Sequence, residues 1–488
     1  MKIRRIAALA AAFASALPPS ETLGASLYRY ETPDYTLVAE RTKSVPLLVQ
    51  RLATLDRVLV TLTGQRSEPS GLPVRIIQIP AEWWERSVRP LGIHGVFLSG
   101  RFSHCILLDT PLEGRDLRPI VQREYTRLFL HDRTAHRHPL WYEHGLGLLV
   151  QNARIGDDSA TVGHYHGPRS RDLLSAPYSL GEAKRMPILA VLEWKKRPRG
   201  YFHLQAWSMV HRGIVSDTRF GDQTRNYLLA AERFEPVEPA IRTHYAMSAA
   251  ELDASMARYE DLEVPPRRID FAPTAAVPIQ GPARLSDAEV LYMVATAMLD
   301  GGNPPVAVRA LTRELAKRSP GSTEHEILGM RVASLERDRT RFEELATATE
   351  PKLSSPTASR AYGLALAERI RIENESDTSA ASMERALRIL SASLQARPDD
   401  PEVAWAFAIV AIRADRDLDM AAAHLARASA SIRRSGDLSM AMALVEGARG
   451  NTDAARRHLR DAVTHSRNDE QRMDAVRRLD SYEKESRP

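Results

Sequence analysis

Cysteine is almost absent from this chain of 488 residues, which contains only Cys105. A single cysteine excludes an intrachain disulfide and a zinc site built from several thiolates. Long apolar runs are also missing, because outside the N-terminus no stretch approaches the ~20 apolar residues that a membrane-spanning helix needs. Charge is nearly balanced, with 67 basic and 62 acidic side chains, and no long Lys/Arg block is present. The sequence therefore argues against an integral membrane protein and a nucleic-acid partner.

The N-terminal 25 residues contain the three parts of a secretory signal peptide. Lys2, Arg4 and Arg5 precede a short apolar run, and the small residues Ala-Ser-Ala follow at 14–16. This order predicts export, with residues 1–25 assigned as the signal peptide and cleavage after either Ala16 or Ala25, although an amphipathic or disordered tail is the alternative. The exported protein would then have no transmembrane span, and it would be periplasmic if its source is Gram-negative.

Composition divides the rest of the chain. Residues 1–270 contain 23 aromatic side chains, whereas residues 271–488 contain 7. The segment 264–284 has five prolines and no helical period, which predicts a linker. Residues 26–263 mix strand-like and helix-like patterns and predict an α+β domain. Residues 285–488 contain only helical stretches separated by short Gly, Pro, Asp or Asn turns, and they predict an all-α region.

Local patterns predict the individual elements of the first domain. Alternating and β-branched runs predict strands, and apolar residues at helical spacing predict helices. The predicted strands are 35–40, 72–80 and 104–110, and the predicted helices are 44–63, 115–131, 140–151, 187–195 and 200–214.

A 34-residue register appears near the C-terminus. Leu425 aligns with Leu459, and Ala428 aligns with Ala462. Thirty-four residues per helix pair is the tetratricopeptide period, and residues 285–488 have room for about six such units. A solenoid of this type presents a concave surface to a protein or peptide, so we expect such a partner. The alternative is a helical bundle without repeats.

Two neighbouring sequences carry a family resemblance. "VQREYTRLFL" at 121–130 follows the strand-like "ILLD", and "PLWYEHGL" at 139–146 follows it in turn. This order resembles the gluzincin-type zinc peptidases of the peptidase-MA-like branch, which are often fused to tetratricopeptide repeats. In that family a His-Glu-x-x-His helix is followed by a helix opening Pro-x-Trp-x-x-Glu-Gly-Leu. Residues 201–214 and 244–259 resemble the later helices of the family, so the resemblance implies a metallopeptidase-like fold.

The resemblance also assigns positions to the family's zinc site. In the family, two histidines four residues apart on one helix face hold the metal with a glutamate from the next helix. The motif glutamate then accepts a proton from the zinc-bound water. In this chain the two histidine positions are Arg123 and Arg127, the general-base position is Glu124, and the third ligand position is His144.

These substitutions remove the expected metal chemistry. Arginine is a permanent cation without a free lone pair, so Arg123 and Arg127 cannot ligate zinc. The sequence instead predicts a salt-bridge cluster in which Glu124 and Glu143 balance the two arginines. On this interpretation Glu124 has no catalytic role, the protein binds no cofactor, and it is non-catalytic. The alternative that it is still an enzyme stays open.

A relocated zinc site is the alternative. Six of the 15 histidines lie between residues 131 and 166, and their spacings are compatible with metal binding. On this alternative the protein is an active zinc metallopeptidase that hydrolyses peptide bonds with a rearranged site. The residues concerned are His131, His136, His138, His144, His164 and His166.

Overall fold

The computed structural model describes residues 26–40, 43–65, 68–80, 83–84, 95–109, 119–134, 137–164, 185–193, 201–233, 235–303, 305–374 and 378–485. The predicted signal peptide at 1–25 lies outside these ranges, as does the predicted beginning of the helix at 115–118. None of the helices within these ranges is long and apolar enough to cross a membrane.

Strands form two sheets in the N-terminal region. Within the described ranges they are β1 (Leu27–Glu31), β2 (Thr36–Glu40), β3 (Val74–Gln78), β4 (Gly95–Ser99), β5 (His104–Leu108), β6 (Arg154–Ile155), β7 (Ser159–Val162), β8 (Arg267–Asp270) and β9 (Gln280–Arg284). The larger sheet has the order β4-β5-β3-β2-β1-β9, and the smaller has the order β6-β7-β8. Strand β3 is parallel to β2 and β5, and the other pairs are antiparallel. The predicted strands correspond to β2, β3 and β5.

Eight helices accompany these sheets in the described part of the N-terminal region. They are α1 (Val45–Thr63), α2 (Pro119–Asp132), α3 (Leu140–Gln151), α4 (Ile188–Leu192), α5 (Phe202–His211), α6 (Thr218–Glu232), α7 (Val237–Tyr245) and α8 (Ala249–Glu260). A π-helical turn at Arg212–Ser216 extends α5. The predicted helices at 44–63 and 140–151 agree closely with α1 and α3.

Both faces of the larger sheet are buried. Ile76 and Ile106 belong to the core that includes α1, α2 and α3. Their strand neighbours Ile77 and Leu107 belong to a second core with the first helices of the C-terminal region. Because successive side chains of a strand point to opposite faces, the sheet lies between two helical layers. Cys105 is buried in the second core.

The predicted linker has regular structure. Strand β8 pairs with β7, and β9 pairs with β1. Residues 264–284, which the sequence predicts as a linker, therefore contain two paired strands. The physical reason is that both strands lie at sheet edges, where a strand pairs on one side only and proline is tolerated.

The C-terminal region consists of helices. Within the described ranges they are α9 (Asp287–Asp300), α10 (Pro305–Arg318), α11 (Thr323–Glu336), α12 (Arg339–Thr349), α13 (Pro356–Ile372), α14 (Ala380–Ala396), α15 (Pro401–Arg413), α16 (Leu418–Ser429), α17 (Gly436–Ala448), α18 (Thr452–Thr464) and α19 (Asp469–Glu485). A 3-10 turn at Glu350–Lys352 follows α12.

These helices are arranged in tetratricopeptide-like pairs. The two helices of each pair pack against each other, and the first helices of successive pairs, α9, α11, α13, α15 and α17, also contact one another. Successive pairs begin at residues 287, 323, 356, 401 and 436, and the final helix begins at 469. The protein thus combines an N-terminal mixed α/β region with a C-terminal helical, tetratricopeptide-like array.

Candidate functional site

Helices α2 and α3 carry the residues that the family resemblance singled out. Helix α2 packs against α3 and against strands β4 and β5. Gly145 allows α3 to approach α5 closely, because a Cβ atom at this position would lie 2.3 Å from the backbone oxygen of Ala206. A side chain at residue 145 would therefore push the two helices apart.

Glu124 lies at the centre of an ion-pair cluster. Arg123 Nε donates to Glu124 Oε1 at 2.8 Å, and Arg127 Nη1 donates to Oε2 at 3.1 Å. The backbone N–H of Phe97, from β4, donates to the same Oε2 at 2.9 Å. The Glu124 side chain is 2% exposed. Two cations and one backbone donor therefore surround a buried carboxylate.

This environment fixes the charge of Glu124. Burial alone would raise the pKa of its carboxyl, but Arg123 and Arg127 and the two short hydrogen bonds hold that pKa below its ordinary value. A general base works best when its pKa lies near the operating pH and its oxygen can reach the proton that it accepts. Glu124 is instead a stable anion, and both of its oxygens already accept hydrogen bonds. The arrangement suits a structural counter-ion.

Glu143 forms a second pair beside this cluster. Its Oε1 lies 3.2 Å from His131 Nε2. Burial would raise the pKa of Glu143, but His131 and, through space, Arg127 and Arg137 hold it below its ordinary value. The sequence had placed Glu143 opposite Arg123 and Arg127, whereas its close contact is with His131, one turn beyond Arg127 on α2.

His144 lies in an aromatic environment. Its ring centroid is 5.5 Å from that of His203 and 6.1 Å from that of Phe202. Burial, Arg127 and the neighbouring His203 together hold the pKa of His144 well below its ordinary value. The imidazole is therefore neutral at pH 7 and keeps a lone pair. A zinc ion, however, needs three protein ligands, and both adjacent positions carry guanidinium groups.

His131 and His138, two further histidines of the predicted group, contact other side chains. His138 Nε2 lies 3.1 Å from the Thr134 hydroxyl, and His131 pairs with Glu143. His164 follows β7, while His136 and His166 lie outside the described residues. Within the part of the chain that the structure describes, no group of three or more His, Cys, Asp or Glu residues could hold a metal ion. The described residues at the family position therefore do not fit zinc.

Phe97 and His203 also belong to this site, and the sequence did not single them out. Phe97 contributes a backbone N–H, which carries no sequence signal, and its ring lies 5.8 Å from the Arg127 guanidinium carbon. His203 lies in "YFHLQAW", which the resemblance had already matched to a later helix. A polar residue on the apolar face of that helix was the available signal.

The turn between β4 and β5 packs into the helical array. Phe102 is 6% exposed and belongs to the hydrophobic core of the array, with its ring centroid 5.9 Å from that of Trp405 on α15. Arg101 stacks over the same Trp405 ring at 3.8 Å and pairs with Asp437 of α17 at 3.2 Å. Helices α15 and α17, which are first helices of their pairs, therefore already contact another part of the same chain.

A second contact joins the two regions near the end of α2. Arg434 donates to the backbone oxygen of Asp132 at 2.7 Å, and Arg433 N–H donates to the backbone oxygen of Ser70 at 2.8 Å. Gly71 permits this approach, because its φ is +90° and a Cβ atom there would lie 2.4 Å from the backbone oxygen of Ser431. The array is therefore packed against the N-terminal region at several points.

Comparisons with known proteins add a likeness in architecture. Neither a protein-family model nor a curated protein matches the chain. A thermophilic tetratricopeptide protein of Thermus thermophilus is similar over 40% of this chain and 98% of its own, with 16% identity and a TM-score of 0.33. PilF of Pseudomonas aeruginosa is similar over 41% of this chain and 89% of its own, with 15% identity and a TM-score of 0.30.

Proposed function

We propose that this chain is an exported, non-catalytic relative of zinc peptidases, and that its helical array binds a protein or peptide. The observation that supports the loss of catalysis is the environment of Glu124. Its carboxylate accepts from Arg123, Arg127 and Phe97 N–H, and the two guanidiniums supply the positive charge that zinc supplies in the family. The N-terminal region then serves as a folded support for the array.

Metal analysis of the purified chain tests the loss of the zinc site. We expect wild-type protein to contain no stoichiometric zinc and to show no peptidase activity. The combined variant Arg123→His, Arg127→His and His144→Glu rebuilds the family's ligand set. It should bind zinc, because it offers three ligands on adjacent helices, but hydrolysis should stay poor because the three substitutions do not rebuild the outer groups that orient zinc ligands.

Elemental analysis after dialysis measures both proteins side by side. About one zinc per wild-type chain would contradict the proposal and favour a relocated site. A folded triple variant that binds no zinc would show that the assignment of motif positions is wrong. The pair Arg123→Lys and Arg127→Lys is the matched control, because it keeps the positive charge and adds no imidazole.

Partner binding is assigned to a cleft between α10, α11 and α12. The α10–α12 cleft has a volume of about 210 Å³, and its walls include Arg313, Val332 and Leu345. Arg309 and Arg341 on its rim pair with Glu336 and Glu344. Arg313 is exposed and has no ion pair among the described residues. An apolar floor beside an available cation suits a peptide with an apolar anchor next to an acidic residue.

Charge reversal at Arg313 tests this assignment. Peptides selected from a random library against the full-length chain should be enriched in Asp or Glu beside an apolar residue. Arg313→Glu should weaken their binding by about tenfold or more, since it replaces an attraction with a repulsion. Arg242→Glu on α7 is the matched control, because Arg242 is also exposed and lies outside the cleft. Equal losses in both variants, measured by fluorescence anisotropy, would contradict the cleft assignment.

A further inference from the structure

Four arginines from separate parts of the chain meet where the N-terminal region faces the end of the array. The interdomain cleft is lined by Ser99, Arg101, Arg137, Arg434, Ser466 and Arg467, among others. Arg101 and Arg137 come from the turns that follow β4 and α2, and Arg434 and Arg467 come from the turns before α17 and α19. Neither the ion-pair cluster of Glu124 nor the α10–α12 cleft includes these groups.

The carboxylates near this cleft do not balance all of its arginines. Arg101 and Arg467 share Asp437, at 3.2 and 2.7 Å. Arg434 donates to the backbone oxygens of Glu68 and Asp132; burial lowers its pKa, although the carboxylates of Asp132 and Glu68 favour its charge through space without forming a close ion pair. Two guanidiniums on one carboxylate and a third on backbone oxygens leave positive charge in a partly buried space. Such charge is unfavourable unless an anion accompanies it.

The remaining acids at the cleft are already engaged. Glu143 in its wall pairs with His131 at 3.2 Å, and Asp469 pairs with Arg137 at 2.5 Å. The Asp132 carboxylate accepts from the Ser70 hydroxyl at 2.5 Å. Asp132 and Glu68 act on Arg434 through space, whereas Arg101 and Arg467 share Asp437 as their carboxylate partner among the described residues.

The shape and donors of the cleft suit a small oxyanion. Its cavity of about 60 Å³ has room for about four water molecules, which is comparable with the four oxygens of a phosphate. Ser99, Ser435 and Ser466 line the same space, and the buried Ser99 hydroxyl has no hydrogen-bond partner among the described residues. His104 in the wall is buried, and burial, His131 and Arg467 lower its pKa to about 3. A neutral His104 tolerates the positive surroundings and adds no competing charge.

We propose that the interdomain cleft binds a phosphate group, either as the free ion or as a phosphate monoester. Guanidinium groups bind phosphate oxygens through paired, charge-assisted hydrogen bonds. Because the arginines come from both regions, a bound phosphate would also hold the array against the N-terminal region. This site is independent of the proposed loss of peptidase chemistry.

Calorimetric titration of the full-length chain with inorganic phosphate tests the site. We expect saturable binding that Arg467→Gln and Arg434→Gln each weaken by about tenfold or more, because each removes a charged donor. Arg433→Gln is the matched control, since Arg433 adjoins Arg434, is 69% exposed and does not line the cleft. It should change affinity by about twofold at most. Near-UV circular dichroism checks that each variant is folded. If Arg434→Gln disrupts the contact with Asp132, the comparison of Arg467→Gln with Arg433→Gln tests the site.

Two further ligands identify the source of the phosphate. Tighter binding of phosphoserine than of inorganic phosphate would indicate a monoester, and the reverse would indicate the free ion. Absence of binding at millimolar phosphate would overturn the proposal, as would equal weakening by Arg433→Gln and Arg467→Gln. Acetate that binds as tightly as phosphate would also overturn it, because the cleft would then not distinguish phosphate from a carboxylate.

Discussion

Glu124→Gln should lower the free energy of unfolding by about 3 kcal/mol. The change keeps the size of the side chain and removes the charge that pairs with Arg123 and Arg127. Breaking a buried ion pair costs ~3–5 kcal/mol, and the lower end applies because the two arginine side chains are 16% and 23% exposed. A thermal midpoint roughly 6 to 12 °C lower is expected for a region of this size, measured by scanning calorimetry.

An exposed ion pair provides the control for this prediction. Glu238→Gln removes the partner of Arg242, and both side chains are more than half exposed. Surface pairs contribute ~0–1 kcal/mol, so the midpoint should hardly change. A Glu124→Gln midpoint equal to the wild-type value, together with loss of measurable hydrolysis, would show that Glu124 performs chemistry.

The stability difference between wild type and Glu124→Gln should depend on pH in a definite direction. The pKa of Glu124 in the folded state lies below its ordinary value, so its contribution is fully present above the unfolded value of about 4.3. It is lost as the pH falls through the lower folded-state pKa. The stability difference between wild type and Glu124→Gln should therefore be constant from pH 7 to about 5 and shrink in stronger acid. Denaturant titrations that show no such decrease would contradict the charge-based explanation.

Phe102→Ala should separate the array from the turn between β4 and β5. The Phe102 ring is buried in the core of the array and contacts Trp405. Replacing a buried phenylalanine with alanine costs about 3–5 kcal/mol. Because this contact joins two regions, we expect faster hydrogen exchange in α15 and in strands β4 and β5, measured by mass spectrometry.

Leu262→Ala is the control for this second prediction. Leu262 is 54% exposed, so its truncation leaves no cavity and should change exchange rates little. Unchanged protection of α15 in Phe102→Ala would show that the turn does not hold the two regions together. A variant Arg101→Ala should produce a weaker effect in the same direction, because it removes a cation–π contact and an ion pair that are both partly exposed.

The sequence by itself determined that Arg123 and Arg127 cannot bind a metal ion. A guanidinium has no lone pair for a metal in any fold, so this conclusion needed only the motif assignment. Local periodicity also determined several elements, including α1, α3 and the helices of the array, because helix and strand patterns depend on neighbours in the chain.

Only the tertiary structure decided which charges meet. The pairing of Glu143 with His131 joins two helices. The hydrogen bond from Phe97 to Glu124 uses a backbone N–H, which the identity of the residue does not reveal. The proline-rich segment 264–284 became two edge strands because distant strands β1 and β7 offered free edges. These contacts depend on residues far apart in sequence.

The surface of the array that contacts the N-terminal region is the clearest example of a feature that the sequence alone did not predict. The repeat period predicted a surface for an external partner, yet Arg101 and Phe102 of the N-terminal region contact α15 and α17 of the array. Nothing in "GRFSH" distinguishes a solvent-exposed turn from one that is buried in another region. Burial of that turn arises from the way the array packs on the sheet, which is a property of the assembled chain and not of any local pattern.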